Sequence, residues 1–225
     1  MTGDFRITLE YLKEIGACQE GQREFARVFP DGAGYQETLD RCAEEGRIDF
    51  GEWLLNKVGR TNDVRTYDED INDPGKIIIF AGNLEFKFGV FAKFIKAGLG
   101  IEAGEGIEAG LGIEAGLGIK AGWGIEAGLG IKAGWGIKAG LGIKAGWGIK
   151  AGWGIKAGWG IEAGEGIEAG WGIKAGWGIK AGSDYGIFAG LCVKVTLWAQ
   201  YAIVAAKEKP ANLISGHWKP KEGTD

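Results

Sequence analysis

The chain has 225 residues, a formal charge of −4, 44 Gly beside 4 Pro, and a 45% hydrophobic fraction that includes 10 Trp and 10 Phe. That apolar content excludes simple disorder, and glycine at this level demands a structural cause. Residues 1–75 carry 17 acidic and 9 basic side chains (−8) and residues 76–225 carry 13 and 17 (+4), so no single basic footprint marks a duplex-binding protein.

The opening segment, MTGDFRITLEYLKEIG, has no basic stretch followed by an apolar one, and no run reaches about 18 apolar residues, the length a membrane span needs. A cytosolic protein of a bacterium or a phage-infected cell, without membrane attachment, is the expectation. Thr8 is placed to cap a helix through Leu9, Leu12 and Ile15 that stops at Gly16. A second helix over residues 20–29 gathers Phe25, Val28 and Phe29 on one face before Pro30-Asp31-Gly32. A third follows over residues 35–45 and a fourth over residues 50–58. Helices this short are marginal alone, so residues 1–59 must pack on themselves or on the near end of the next folded segment. Residues 60–75, polar and closed by Pro74-Gly75, read as a linker.

At Lys76 β-branched and aromatic residues take over, and from Ile95 the sequence repeats Ile-(Lys/Glu)-Ala-Gly-(Leu/Trp/Glu)-Gly fifteen times, to Ile179. A fixed short period signals a repeat architecture. Ile and Ala never vary while the second and fifth positions do, so alternation places Ile and Ala inward and the variable pair outward. The fold expected is mainly β: a parallel β-solenoid over residues 76–206, with regular hexads at 95–182, a C-terminal cap at 183–206 continuing as strand through CVKVTLWAQYAIVAAK, and a tail at 207–225. Glycines at the fourth and sixth positions suit corners, through positive φ or close backbone approach. Coils of 18 residues would give roughly seven turns, and coils of 12 roughly eleven. Charge ladders do not decide between them. The shorter coil would align Trp123, Trp135, Trp147, Trp159 and Trp171, while a three-sided coil encloses Ile and Ala more readily.

Chemistry is sparse. His217 is the single histidine, too little for an imidazole metal site or a His-based catalytic group, and Cys18, Cys42 and Cys192 are too scattered for a disulfide framework or structural zinc. The Gly-x-Gly strings do not lead from a strand into a helix, so they are not a dinucleotide fingerprint. Glu105 and Glu165 create acidic patches that read as solvated surface. No catalytic residue, metal or cofactor is indicated. The candidate binding residues are Trp123, Trp135, Trp147, Trp153, Trp159, Trp171 and Trp177, with Lys132, Lys138, Lys144, Lys150 and Lys156 in the most basic stretch of the rod. Tryptophan anchors protein interfaces and also stacks on bases, or it can simply shield coil edges.

The I-x-A-G-x-G array behind ACQEGQREFARVFPDGAGYQ resembles a group of bacterial and prophage proteins with IKAGWGIEAG-type repeats. That resemblance implies an accessory protein acting by contact, of the kind that includes phage and mobile-element inhibitors of host defence complexes such as anti-CRISPR proteins. A more distant likeness to left-handed β-helix acyltransferases fails on two counts: the small residue follows the large aliphatic one, and the rod has no histidine. The expected role is therefore a non-enzymatic protein-binding scaffold. Nucleic-acid or nucleotide binding through a Trp/Lys ridge is the alternative, and a self-assembling rod, with homo-oligomers, is the third reading.

Overall fold

The computed structural model describes residues 5–221. Four helices, α1 (Leu9–Glu14), α2 (Gln19–Val28), α3 (Tyr35–Glu44) and α4 (Ile48–Val58), form the N-terminal module. Each has a local reason. The Thr8 side chain accepts from the Tyr11 amide to start α1, and Gly16, Gly32, Gly46 and Gly59 take positive φ at the breaks that follow the helices.

Behind the module lies a three-sided parallel β-solenoid of about nine turns spanning residues 64–220. Through the regular coils each strand pairs with the strand three elements away, so Ile119 lies on Ile137, Lys120 on Lys138 and Ala121 on Ala139, which fixes 18 residues per coil. Face one has nine strands, from Val64–Tyr67 to His217–Pro220. Face two has seven, from Ile71–Asn72 to Ile179–Lys180, and face three eight, from Ile77–Phe80 to Leu213–Ser215. The repeat isoleucines and alanines are buried in one continuous core while most second-position residues stand exposed, as strand alternation requires.

The glycines work by proximity. None of the repeat glycines has positive φ. From Gly116 to Gly182 a Cβ on the fourth-position glycine, such as Gly134 or Gly140, would overlap the carbonyl oxygen of the glycine one coil below. The backbone ladder thus runs through the corners, with the Trp153 amide donating to the Trp135 carbonyl at 2.8 Å and Trp171 to Trp153 at 2.8 Å.

Several boundaries differ from the sequence reading. Residues 60–75 are no linker: Val64–Tyr67 and Ile71–Asn72 pair with Asn83–Phe86 and Val90–Ala92 as the first coil. The polar composition that suggested a loop belongs to an end strand with one solvated edge. The expected tail likewise holds strands Leu213–Ser215 and His217–Pro220; residues 222–225, like residues 1–4, lie outside the described set. Cys192 to Tyr201 is not strand. It forms a corner insertion with a 3-10 turn, Val195–Leu197, and a short helix, α5 (Trp198–Tyr201), before the strand Ile203–Ala206 resumes face one.

The module caps the first coil. Ile77–Phe80 is apolar at every position because it is buried on both sides: Ile78 and Phe80 enter the rod core, Ile79 the module core. Gln36 on α3 donates to the Ile79 carbonyl at 2.9 Å and accepts from the Ala81 amide at 3.0 Å, satisfying the strand edge. Asp40 holds Arg65 through two 2.8 Å bonds, and the guanidinium lies 4.6 Å from the Phe80 ring centroid. Lys96 bridges Glu52 of α4 and Glu114 of the next coil at 2.7 Å each.

Candidate functional site

Side-chain position on the rod follows from the coil length. The corner between faces three and one stacks Leu99, Leu117, Trp135, Trp153 and Trp171; the corner between one and two stacks Glu105, Trp123, Leu141, Trp159 and Trp177; the corner between two and three carries Leu111, Leu129, Trp147 and Glu165. The seven tryptophans therefore form no single ridge. The column of Trp123, Trp135, Trp147, Trp159 and Trp171 that a 12-residue coil would give does not exist, because successive members sit on different corners.

The five candidate lysines divide in the same way. Lys144 is on face two, paired with Glu126 at 3.2 Å; Lys132 and Lys150 are on face three, the latter paired with Glu168 at 2.7 Å; Lys138 and Lys156 are on face one. Face two alternates Glu126, Lys144, Glu162 and Lys180 in consecutive coils, as favourable cross-strand pairing predicts. Face one breaks that rule. Lys120, Lys138, Lys156 and Lys174 follow one another in adjacent coils. Lys120 is paired with Glu102, whereas Lys138, Lys156 and Lys174 have no ion pair among the described residues.

Beside this lysine row stands the most extended aromatic column. Trp135 and Trp153 stack with centroids 5.1 Å apart at 4°, Trp153 and Trp171 at 5.9 Å and 21°, and Tyr201 of α5 continues the line 5.2 Å from Trp171. Between column and row runs a groove of about 680 Å³ whose floor is the sixth-position glycines Gly118, Gly136, Gly154 and Gly172. Asn83, Glu85 and Glu102 lie at its module end and Gln200 and Tyr201 at the other. Stacking leaves indole edges outward while the flat faces cover one another; Trp135, Trp153 and Trp171 are still 48%, 51% and 43% exposed. Lys120, which belongs to the basic stretch of the sequence, completes the site together with Lys174 and Tyr201, which sequence reasoning did not select. The coil length would have aligned the lysines, since Lys120 and Lys174 lie one coil from Lys138 and Lys156, but Tyr201 sits in the corner insertion and no period points to it.

The remaining sequence candidates are dispersed. Trp159 and Trp177 stack at 6.3 Å on another corner, with Lys207 6.0 Å from the Trp177 ring centroid. His217 lies on the final face-one strand. Cys18 and Cys192 are exposed; the Cys42 thiol is pushed up to about 11, first by burial and then by Glu45 and Asp49. Among the described residues no cluster of His, Cys, Asp or Glu is arranged to hold a metal ion, and no helix is long and apolar enough to cross a membrane.

The architecture is that of a capped parallel β-solenoid with one chemically distinct face. Residues 1–62, the module and its junction with the first coil, match the family model of the YdhT N-terminal domain, and the solenoid follows directly. No curated protein and no solved structure matches the chain.

Proposed function

We propose that this protein is a non-enzymatic scaffold that binds a protein partner through face one, with the Trp135–Trp153–Trp171 column as the apolar anchor and Lys138, Lys156 and Lys174 as the charged wall. The observation that carries the reading is the uncompensated lysine row. On the other two faces like charges meet only once in succession, Glu108 on Glu126 and Lys132 on Lys150, whereas face one has three successive lysine contacts, and stacking like charges at the ~4.8 Å strand spacing costs stability. A surface that keeps this cost beside exposed aromatic residues has the composition of an interface core with a steering rim. A rod acts by occupying a surface, and the resemblance of its repeats makes a phage or mobile-element inhibitor of a cytosolic host defence complex the setting we propose.

The test is capture of partners from host cells by the tagged full chain, compared with a Trp135→Ala/Trp153→Ala/Trp171→Ala variant of unchanged melting temperature. The expected result is a partner bound by the parent chain and weakened at least about tenfold by the variant, since aromatic anchors dominate interface energetics. Equal capture by both chains overturns the reading.

A further inference from the structure

We infer that the face-one groove takes an acidic amphipathic α-helix of a partner protein, lying along the rod axis with its N-terminus toward the helical module; the inference rests on the reading of face one as the contact surface. Three features of the groove select the helix over other anionic ligands. The first is hydrogen bonding. The floor carbonyls of Gly136, Gly154 and Gly172 already accept from the amides of Ile119, Ile137 and Ile155 at 3.0–3.1 Å, so an added β-strand finds no free ladder along the rod. A side-chain-led ligand is required.

The second is pitch. Four lysines in consecutive coils span three steps of ~4.8 Å, about 14 Å in all. An α-helix repeats its surface every ~5.4 Å and covers three turns in about 16 Å, a mismatch of ~2 Å that flexible lysine stems absorb. One face of an extended strand repeats at ~6.7 Å, so three of its repeats cover about 20 Å and fall out of step by more than a full lysine. A helix with carboxylates on one edge and aliphatic residues on the next therefore meets the lysine row and the indole column together.

The third is the disposition of the indoles. A single-stranded nucleic acid gains affinity by laying bases on open aromatic faces, but Trp135, Trp153 and Trp171 stack on one another at 5.1 Å and 5.9 Å and turn their edges outward. Indole edges pack against aliphatic side chains and donate their N–H groups to acceptors. The orientation follows from polarity. Glu85 and Glu102 stand at the module end of the groove and Lys156 and Lys174 at the far end. The positive N-terminus of a bound helix favours the first and its negative C-terminus the second.

The experiment uses the full chain and three fluorescein-labelled probes read by anisotropy. One is an about 20-residue helical peptide with Glu at i, i+4, i+7 and i+11 beside a Leu stripe. The others are a scrambled peptide of the same composition and a single-stranded oligothymidylate. The helical peptide should bind at least about tenfold more tightly than either control and lose at least about tenfold on Lys138→Glu/Lys156→Glu/Lys174→Glu, the chain still melting normally. Failure of the helical peptide to bind, or a control binding as tightly, overturns the inference. If host capture identifies a partner held on face one by a loop or by nucleic acid, the helix falls while face one stands as a contact surface. If capture is insensitive to the tryptophans, both fall.

Discussion

The two glycines of each hexad answer to different constraints. At the fourth position an added methyl lands on a carbonyl oxygen of the coil below, as at Gly140 against Gly122. At the sixth position, from Gly106 to Gly166, it would stand 3.2–3.7 Å from a glycine oxygen of the next coil, and at Gly142 it is in ordinary contact, 3.6 Å from the Gly160 oxygen. Neither has positive φ, so backbone strain does not enter. Gly140→Ala is expected to cost about 3 kcal/mol through overpacking. Gly142→Ala should be neutral or stabilising by about 0.5 kcal/mol, because it removes freedom from the unfolded chain. Denaturation midpoints of the two variants check this, and similar losses for both would refute it. Cys42 gives a second test at this scale. Its thiol, held up to about 11 by burial, stays protonated at pH 8, whereas Cys18 and Cys192 are exposed. A thiol reagent should modify two cysteines in the native chain and the third only after unfolding.

Among elements, the junction between module and rod concentrates the polar bonds. Asp40→Ala removes a two-bond clamp on Arg65, a loss of about 1–3 kcal/mol for hydrogen bonds to a charged group, and should raise protease cleavage near residues 59–63 without unfolding the solenoid. The same junction is sensitive to alkali. Burial alone would lower the Lys96 pKa, but hydrogen bonds and charge from Glu114 and Glu52 outweigh it and the net shift is upward from 10.5. Cys42 also moves up, from 9.0 to about 11. Both raised groups contribute stability that is full below their unfolded values and lost as pH climbs through the folded ones. Loosening of the module and of its junction should therefore begin above about pH 9, checked by protease cleavage near residues 59–63 as pH is raised. Little of this junction was legible beforehand. Helix spacing and the Thr8 cap gave the helices, yet nothing local to Gln36, Asp40 or Arg65 says that they meet across a strand edge. The end strands escaped for a related reason: Val64–Tyr67 and His217–Pro220 have one paired side and a polar composition, so they read as loops. The inward Ile and Ala were plain because alternation alone determines them.

At the scale of the molecule, the core is indifferent to which face a hexad occupies, and that indifference is why the sequence left the coil length open. Every face buries the same Ile and Ala, so only the outward columns record the period of 18. This separates scaffold from function experimentally. Deleting residues 143–160 removes one whole coil, shortens the rod by ~4.8 Å and brings Trp171 over Trp135 and Lys174 over Lys138, preserving both columns. Deleting only residues 143–148 rotates everything beyond by one face. Trp159 and then Trp177 would follow Trp135, keeping an aromatic column, but Glu162 and Lys180 would follow Lys138 and destroy the lysine row. Both chains keep an unbroken Ile/Ala core and should melt cooperatively with strand content near that of the parent, because solenoid stability is nearly a sum of neighbouring-coil terms. Binding should distinguish them. The whole-coil deletion should retain most affinity for a face-one partner, and the single-hexad deletion should lose at least about tenfold despite being the smaller change. Equal binding by the two would mean that the lysine row is incidental and that the aromatic column alone holds the partner.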